Sequence, residues 1–346
     1  MDSKYEITAL LRKGRSGGVY RACDLVLDRE VALRRFFAAN GDQHPETWNL
    51  KFLETTQFLS SLQHPSLLPI LDTGVDLDGA FTVNPLLKGA FLPEHTKNKP
   101  LDEAAARNMA TQLLGALSIV HLAGGVHSAL SPASIFVSPL SGGDLHFTIM
   151  DLGLAALTPN ALGCSLSRDP VFLPIERLEQ TPITSQSDCY QLGHIIYTTL
   201  LGGHPWGGQN REQCSHLHLN EVLPPLSDFQ CAVSEEFQAW LYRLASNNAD
   251  LRFKDAQQAI QALVNHTSTP PRDTAALSLS PNQPQDKLTS QQAITKGLIA
   301  TLALLFLITS ATALLVFRDD SEPDPAPINT AQEEAIPLLH SDLSTP

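Results

Sequence analysis

Residues 126–137 have the sequence VHSALSPASIFV, and this stretch decides the fold. It follows a helical pattern that ends at Gly124 and Gly125, because glycine directly after a periodic segment is a helix stop signal. Its polar side chains are one histidine and several serines, and it contains no carboxylate and no lysine. The loop therefore keeps residues that shape a backbone, and the histidine is its one side chain suited to acid–base chemistry.

The segments on the two sides of this loop differ in their pattern. Three early segments, YEITALL, GGVYRACDL and REVALRRFF, mix β-branched and apolar residues between Gly and Asp turns, which predicts strands. A helix is predicted over 48–63, followed by strands at LLPILDTGVD and AFTVNPLL. Helical patterns dominate after residue 100. This order predicts an α+β, two-lobed fold, with a β-rich N-lobe at about 1–87 and a helical C-lobe at about 88–266.

Further motifs are spaced along residues 1–266: LRKGRSGGVY, VALR, MDLGLA, FLPIERL, SDCYQLG and NNADLRF. In this order they resemble the protein kinase superfamily, most closely the eukaryotic-like Ser/Thr kinases of bacteria, over about residues 5–265. The resemblance implies a nucleotide cleft between the two lobes. The matching positions that would form a vestigial nucleotide site are Gly14, Gly17, Val19, Ala32, Arg34 and Asp151.

The resemblance also implies roles for the matched polar residues. His127 would orient the loop, and Asp188 would support it from below. Glu176 and Arg252 are expected to form a buried salt bridge, and breaking such a pair is strongly destabilising. Asp151 is the candidate ligand for Mg²⁺ on a nucleotide. The alternative for Asp151 is a strand-end aspartate in a turn that needs no metal.

Departures from the kinase pattern fall on the catalytic groups of the loop. Ala129 stands where the family has the Asp that accepts the substrate proton, and a methyl group cannot accept it. Ser131 replaces the Lys that balances charge on the transferring phosphoryl group. Ser134 replaces a metal-binding Asn and is a poorer ligand. The resemblance thus leaves no catalytic residue intact in this loop.

Two further departures concern the N-lobe. Arg34 takes the place of the phosphate-binding Lys, and a planar, forked guanidinium is not equivalent to an ammonium group. The Glu that pairs with this Lys falls at Thr55, whereas Glu54 is one residue away and about 100° round the helix. The ion pair is therefore expected to be absent, and a helix bulge that restores Glu54 is the alternative. Arg12 replaces the first loop glycine and is expected to crowd the nucleotide.

Composition excludes some classes of partner and site. The 346-residue chain has a formal net charge of −13 and no basic run, which argues against nucleic acid. The five cysteines are odd in number and form no C-x-x-C pair, which indicates free thiols in a reducing compartment. Cys214, His216 and His218 lie close together, but the sequence has no second ligand cluster. We interpret them as part of a polar surface loop.

Residues 297–317, GLIATLALLFLITSATALLVF, carry no charge. At about 1.5 Å per residue, a helix of this length spans the hydrocarbon core of a bilayer, which predicts a single transmembrane helix. More positive charge lies before it than after it, which places the N-terminal domain in the cytoplasm and the tail outside the cell membrane. Residues 267–296 are predicted to be a disordered linker, and 318–346 a short acidic extracytoplasmic tail.

Together these features predict a membrane-anchored pseudokinase that acts as a scaffold or allosteric signalling module with residual nucleotide binding. ATP and Mg²⁺ are the candidate ligands, and the sequence requires neither. Expected partners are the membrane and a protein, such as an active kinase or an envelope complex, but no nucleic acid. The alternative is a weak or atypical ATP-dependent Ser/Thr protein kinase, because much of phosphoryl-transfer catalysis is positioning and electrostatics.

Overall fold

The structure is a computed structural model, and it describes residues 4–14, 17–36, 45–97, 99–153 and 170–267. The predicted membrane span at 297–317, the tail at 318–346 and the linker beyond residue 267 lie outside these residues. In the described part of the chain, no helix is long and apolar enough to cross a membrane.

In its described residues, the N-lobe has five strands and one helix: β1 (Tyr5–Gly14), β2 (Gly17–Asp24), β3 (Arg29–Phe36), α1 (Pro45–Ser61), β4 (Asp72–Asp76) and β5 (Gly79–Pro85). The strands form one antiparallel sheet in the order β1-β2-β3-β5-β4. Successive side chains of a strand point to opposite faces. Val31 and Leu33 are therefore buried on one face of β3, and Ala32 and Arg34 lie on the other.

The predicted strand over 67–76 is shorter than expected, because only Asp72–Asp76 pairs in the sheet. Pro69 interrupts the segment, since proline has no N–H for a strand ladder. Leu67 instead forms an isolated parallel bridge with Ile149 in the C-lobe. This segment therefore links the two lobes.

Helix α1 is attached to the sheet by aromatic packing. Phe52 is fully buried, with its ring centroid 5.1 Å from that of Phe36 and 5.5 Å from that of Trp48, on which it stacks. On the same helix, the Thr56 hydroxyl donates to the Phe52 carbonyl and lies 3.1 Å from the hydroxyl of Thr73 on β4. These contacts fix α1 through its apolar face.

The C-lobe contains a second, three-stranded sheet and most of the helices: β6 (Ala90–Phe91), α2 (Leu92–Thr96), α3 (Glu103–Leu122), β7 (Ile135–Pro139), β8 (Leu145–Ile149), α4 (Ile175–Glu179), α5 (Ser185–Leu201), α6 (Arg211–Asn220), α7 (Glu235–Leu244) and α8 (Ala256–Thr267). The sheet has the order β6-β7-β8. The largest apolar core lies here and includes α3, α5, α7 and α8. The predicted two-lobed α+β architecture is confirmed.

Helix α5 lies at the centre of the C-lobe. It ends at Gly202, whose φ of 76° is the left-handed conformation common after helix ends. Gly193 on this helix allows close approach of α7, because a Cβ atom there would lie 2.7 Å from the Cβ of Ala245. The helix is thus packed tightly enough to serve as a rigid base.

The ion pair that the sequence predicts between Glu176 and Arg252 is present. Arg252 Nη1 lies 2.6 Å from Glu176 Oε1, and the arginine side chain is completely buried. The same guanidinium donates to the Asn247 carbonyl at 3.1 Å and lies 4.5 Å from the ring centroid of Tyr190. The pair therefore ties α4 to the segment before α8.

A cluster of buried histidines joins α5, α6 and the loop between them. His194 Nδ1 lies 3.0 Å from His204 Nε2, and the Tyr190 hydroxyl lies 2.5 Å from His218 Nδ1. The ring centroid of His194 is 5.2 Å from each of the other two histidine centroids, and Trp206 packs beside them. Three basic side chains thus share one apolar interior.

The prediction that Cys214, His216 and His218 lie in a surface loop is wrong. These residues are part of helix α6, on which Cys214 and His218 are completely buried and His216 is exposed. Residues four apart lie on the same side of a helix, which places Cys214 and His218 on the face towards the core. Among the described residues, no group of three or more His, Cys, Asp or Glu side chains is arranged to hold a metal ion.

Burial keeps the clustered histidines neutral. It lowers the pKa of His204 to about 3 and the pKa of His218 to about 4, and the pKa of His194 lies well below its ordinary value. Repulsion between neighbouring histidines acts in the same direction on His194 and His204. Protonation is therefore coupled to opening of this cluster.

Removing the arginine of the buried ion pair should destabilise the domain strongly. Arg252→Met leaves the Glu176 carboxylate buried without its cation, which is expected to lower the free energy of unfolding by about 3–5 kcal/mol. Chemical denaturation measures this change. The control is Arg21→Met, which removes an exposed pair with Glu30 at 3.6 Å and should cost about 1 kcal/mol or less. Equal costs for the two variants would contradict this interpretation.

Mild acid should destabilise the domain through the histidine cluster. The unfolded chain takes up protons near pH 6.5, whereas folded His204 and His218 resist protonation down to about pH 3 and 4. Stability should therefore fall as the pH drops from about 6.5 to 4, by roughly 2 kcal/mol per histidine between pH 7 and 5. Denaturation curves at several pH values test this. His218→Gln should flatten the pH dependence, and His216→Gln should leave it unchanged.

Candidate functional site

The candidate site is the cleft between strands β1–β3 of the N-lobe and the β6-β7-β8 sheet of the C-lobe. Gly14 at the end of β1 pairs with Gly17 at the start of β2. Gly17 has a φ of 147°, and a Cβ atom there would lie 1.8 Å from the Arg35 carbonyl oxygen, so only glycine fits. Val19 lies opposite Arg34 in the β2–β3 register. These predicted site residues therefore lie together on strands β1–β3, which form the N-lobe side, or roof, of the cleft.

Arg34 and Asp151 meet across the cleft. The Arg34 guanidinium donates through Nη1 to Asp151 Oδ1, and the two side chains are 21% and 33% exposed. The guanidinium carbon also lies 5.0 Å from the ring centroid of Phe36, which helps to fix its plane. Asp151 follows β8 in a turn with a φ of 62°. The carboxylate predicted as a metal ligand is thus bound by a cation of the protein.

Helix α1 does not contribute a partner to Arg34. Glu54 is exposed, and Thr55, at the position of the kinase glutamate, is half-buried. Within the described residues, Arg34 forms its ion pair with Asp151. The alternative of a helix bulge that restores Glu54 is not seen, since α1 is continuous from Pro45 to Ser61.

A second contact bridges the two sheets of the cleft. The Arg12 guanidinium carbon on β1 lies 4.7 Å from the ring centroid of Phe91 on β6. Phe91 packs edge-on against Phe136 of β7, with centroids 5.2 Å apart. Arginine over an aromatic face is an attractive arrangement. The roof and the floor of the cleft therefore touch at Arg12, where the sequence predicted crowding.

The loop at 127–134 is anchored by the buried carboxylate of Asp188 at the start of α5. Asp188 Oδ2 accepts the His127 backbone N–H at 2.7 Å, and Oδ1 accepts the Ser128 N–H at 2.8 Å. The His127 ring lies 2.9 Å through Nε2 from the Met150 carbonyl, directly before Asp151. The loop backbone is thus fixed relative to the end of β8.

Two residues of this anchor were missed from the sequence. His121 Nε2 lies 3.1 Å from Asp188 Oδ2, and its Nδ1 accepts the Ala256 N–H at 3.2 Å. Gln191 accepts the Leu130 N–H at 3.2 Å and donates to the Phe172 carbonyl at 2.8 Å. The spacing of three residues between Asp188 and Gln191 puts both on one helix face, which was the available signal.

The catalytic positions of the loop are filled by small side chains that bond inward or not at all. Ala129 is half-buried and offers a methyl group. Ser134 is buried, and its hydroxyl accepts the Ser131 N–H at 2.9 Å and donates to the Ser131 carbonyl at 2.8 Å. These bonds close a short 3-10 turn at Pro132–Ser134. The serine at the asparagine position is therefore committed to the local backbone.

This arrangement does not fit the Mg²⁺ ion that kinases use. Magnesium is usually bound through one or two carboxylates together with substrate phosphates and water. Asp151 is already paired with Arg34, and the Ser134 hydroxyl is bonded within its own turn. A metal ion would have to displace Arg34 before it gained a protein carboxylate.

Solved structures with the same fold include a kinase domain. The Mycobacterium tuberculosis PknI kinase domain matches with a TM-score of 0.58 at 18% identity, over 76% of this chain and 96% of that chain. A structure described as PpkA-294 apo form matches with a TM-score of 0.63 at 21% identity, over 76% and 97%. At these identities the likeness shows the fold.

Relatives in sequence are bacterial Ser/Thr kinases. The DNA damage-responsive serine/threonine-protein kinase RqkA of Deinococcus radiodurans is 31% identical over 260 residues, which are 72% of this chain and 37% of that protein. The serine/threonine-protein kinase PrkC of Bacillus subtilis is 26% identical over 263 residues, 74% of this chain and 39% of that protein. The chain thus spans well under half the length of these two relatives. The family profile described as protein kinase domain matches residues 5–267. The chain belongs to the protein kinase superfamily, as a member of the bacterial eukaryotic-like Ser/Thr type.

Proposed function

We propose that this chain is a membrane-anchored pseudokinase, a kinase fold that binds and signals without transferring phosphate. The observation that carries the proposal is Ala129 on a fully anchored loop. The backbone on both sides of Ala129 donates hydrogen bonds to Asp188 and Gln191, which fix the position of the catalytic base. The side chain at this position is a methyl group and accepts no proton. A scaffold or allosteric partner needs this framework and does not need the base.

The size of the loss supports this proposal. A positioned general base typically contributes about 10²–10⁴-fold to a rate. Ser131 removes the cation that would stabilise charge on the phosphoryl group, which is a further electrostatic loss. The Arg34–Asp151 ion pair also occupies the carboxylate that would hold a metal. Three separate contributions to catalysis are thus weakened in one cleft.

The alternative is an active, atypical Ser/Thr protein kinase, and the names of the relatives favour it. Both RqkA and PrkC are named serine/threonine-protein kinases. Phosphoryl transfer depends largely on positioning and electrostatics, so the loss of a base does not by itself abolish it. Asp151 and Gly17 are the kinase residues that this alternative would use.

We further propose that residues 297–317 anchor the protein in the cell membrane, with the kinase domain in the cytoplasm and residues 318–346 outside. Support comes from the uncharged length of the segment and the excess of lysine before it. The partner would be a membrane-proximal protein, such as an active kinase or an envelope complex. No nucleic-acid partner is proposed, because the chain is acidic and lacks a basic run.

A phosphotransfer assay distinguishes the pseudokinase from the kinase. The full chain in detergent, incubated with radiolabelled ATP and Mg²⁺, is expected to incorporate no more label into itself or a generic protein substrate than Asp151→Ala does. An active relative in the same assay serves as the positive control. Incorporation by the wild type that disappears in Asp151→Ala would support the active kinase instead.

Membrane extraction and protease protection test the anchoring. The full chain should stay in the membrane fraction after alkaline carbonate washing, because an uncharged span of 21 residues, 297–317, resists extraction. Protease added outside intact spheroplasts should leave the kinase domain whole. A chain lacking 297–317 should be released by carbonate. Release of the full chain, or digestion of the domain from outside, would contradict the proposed anchoring.

A further inference from the structure

We infer that the cleft binds a polyphosphate anion such as ATP without a divalent cation, with the Arg34 guanidinium in the place of the metal. The inference deepens the proposed function, and it rests on the cleft retained there, not on the loss of catalysis. A metal ion in a kinase links protein carboxylate to phosphate oxygens. Arg34 already binds the carboxylate of Asp151 and can supply the second half of this link.

The geometry of the guanidinium group permits both contacts at once. Arginine carries five N–H donors in a planar fork, and two of its edges can each donate a pair of parallel hydrogen bonds. Asp151 Oδ1 takes one donor, on Nη1. Within the described residues, Arg34 donates one side-chain hydrogen bond, to Asp151. Its donors on Nη2 and Nε therefore remain available for a phosphate. The Phe36 ring at 5.0 Å fixes the plane in which they point.

The competing ligand, a metal ion, gains little from this site. It would have to remove Arg34 from Asp151, and Ser134 holds its hydroxyl in bonds to Ser131. One carboxylate would then be the protein's contribution, at the cost of a broken ion pair. Binding without a metal requires no such exchange.

The charge of the roof favours an anion as well. Residues 1–36 contain eight Lys or Arg against five Asp or Glu, in a chain whose formal net charge is −13. Arg12 and Arg34 both reach the cleft from this segment, at Phe91 and at Asp151. A polyphosphate that enters between them meets positive charge at two points. Complementary charge of this kind raises the rate of association as well as specificity.

Calorimetric titration of the full chain in detergent with ATP tests the inference. Affinity measured in EDTA should equal or exceed affinity measured with excess Mg²⁺. Arg34→Gln should weaken metal-free binding by about tenfold or more, the effect expected for a lost hydrogen bond to a charged group. Asp151→Asn should keep or tighten it, because the substitution frees Nη1 and removes a negative charge. If ATP binding instead required a metal ion held by Asp151, the same variant would lose ATP binding.

The matched control is Arg35→Gln. Arg35 is the next residue on β3, but it pairs with Asp76 on β4, away from the cleft, so its loss should change ATP affinity less than twofold. Melting curves of each variant establish that it is folded. The inference is overturned if binding requires Mg²⁺, if Asp151→Asn abolishes it, if Arg34→Gln binds like the wild type, or if ATP at about 1 mM does not bind at all. In the last case the proposed pseudokinase would stand, since a scaffold needs no nucleotide.

Discussion

The carboxylate of Asp188 is buried without solvent contact and satisfied entirely by N–H donors and a histidine ring. A buried charge is tolerated only when such partners surround it, so the loop that supplies two of them has no freedom to move away. That loop carries His127, whose ring contacts the Met150 carbonyl and thereby fixes the position of Asp151, the next residue. Arg34 then ties Asp151 to the N-lobe sheet. One desolvated carboxylate thus positions the cleft from below.

Framework and chemistry are separable in this molecule because they contribute to different free energies. The Glu176–Arg252 pair and the Asp188 contacts act on folding, so a chain that lost them would be markedly less stable. A catalytic base acts on a transition state and adds nothing to folding. Selection for binding alone would therefore preserve the first set while Ala129 and Ser131 replaced members of the second.

Local signals in the sequence predicted the early strands, the helical C-lobe and the Glu176–Arg252 pair, since glycine turns, periodicity and motif order are local or fixed by a shared fold. Contacts between distant segments were not predictable. Arg34 and Asp151 are 117 residues apart, and no pattern in either segment indicates that they form an ion pair. Helix α6 was missed because its polar sequence hides the single face on which Cys214 and His218 are buried. Burial of one helix face depends on what packs against it.

The paired serines at 131 and 134 have an evolutionary consequence. The Ser134 side chain accepts the Ser131 N–H and donates to the Ser131 carbonyl, so this side chain stabilises the short turn. Replacement of Ser134 by asparagine would remove two hydrogen bonds worth about 1 kcal/mol each. Selection for a folded loop alone is therefore enough to keep a serine at position 134, whatever the cleft binds.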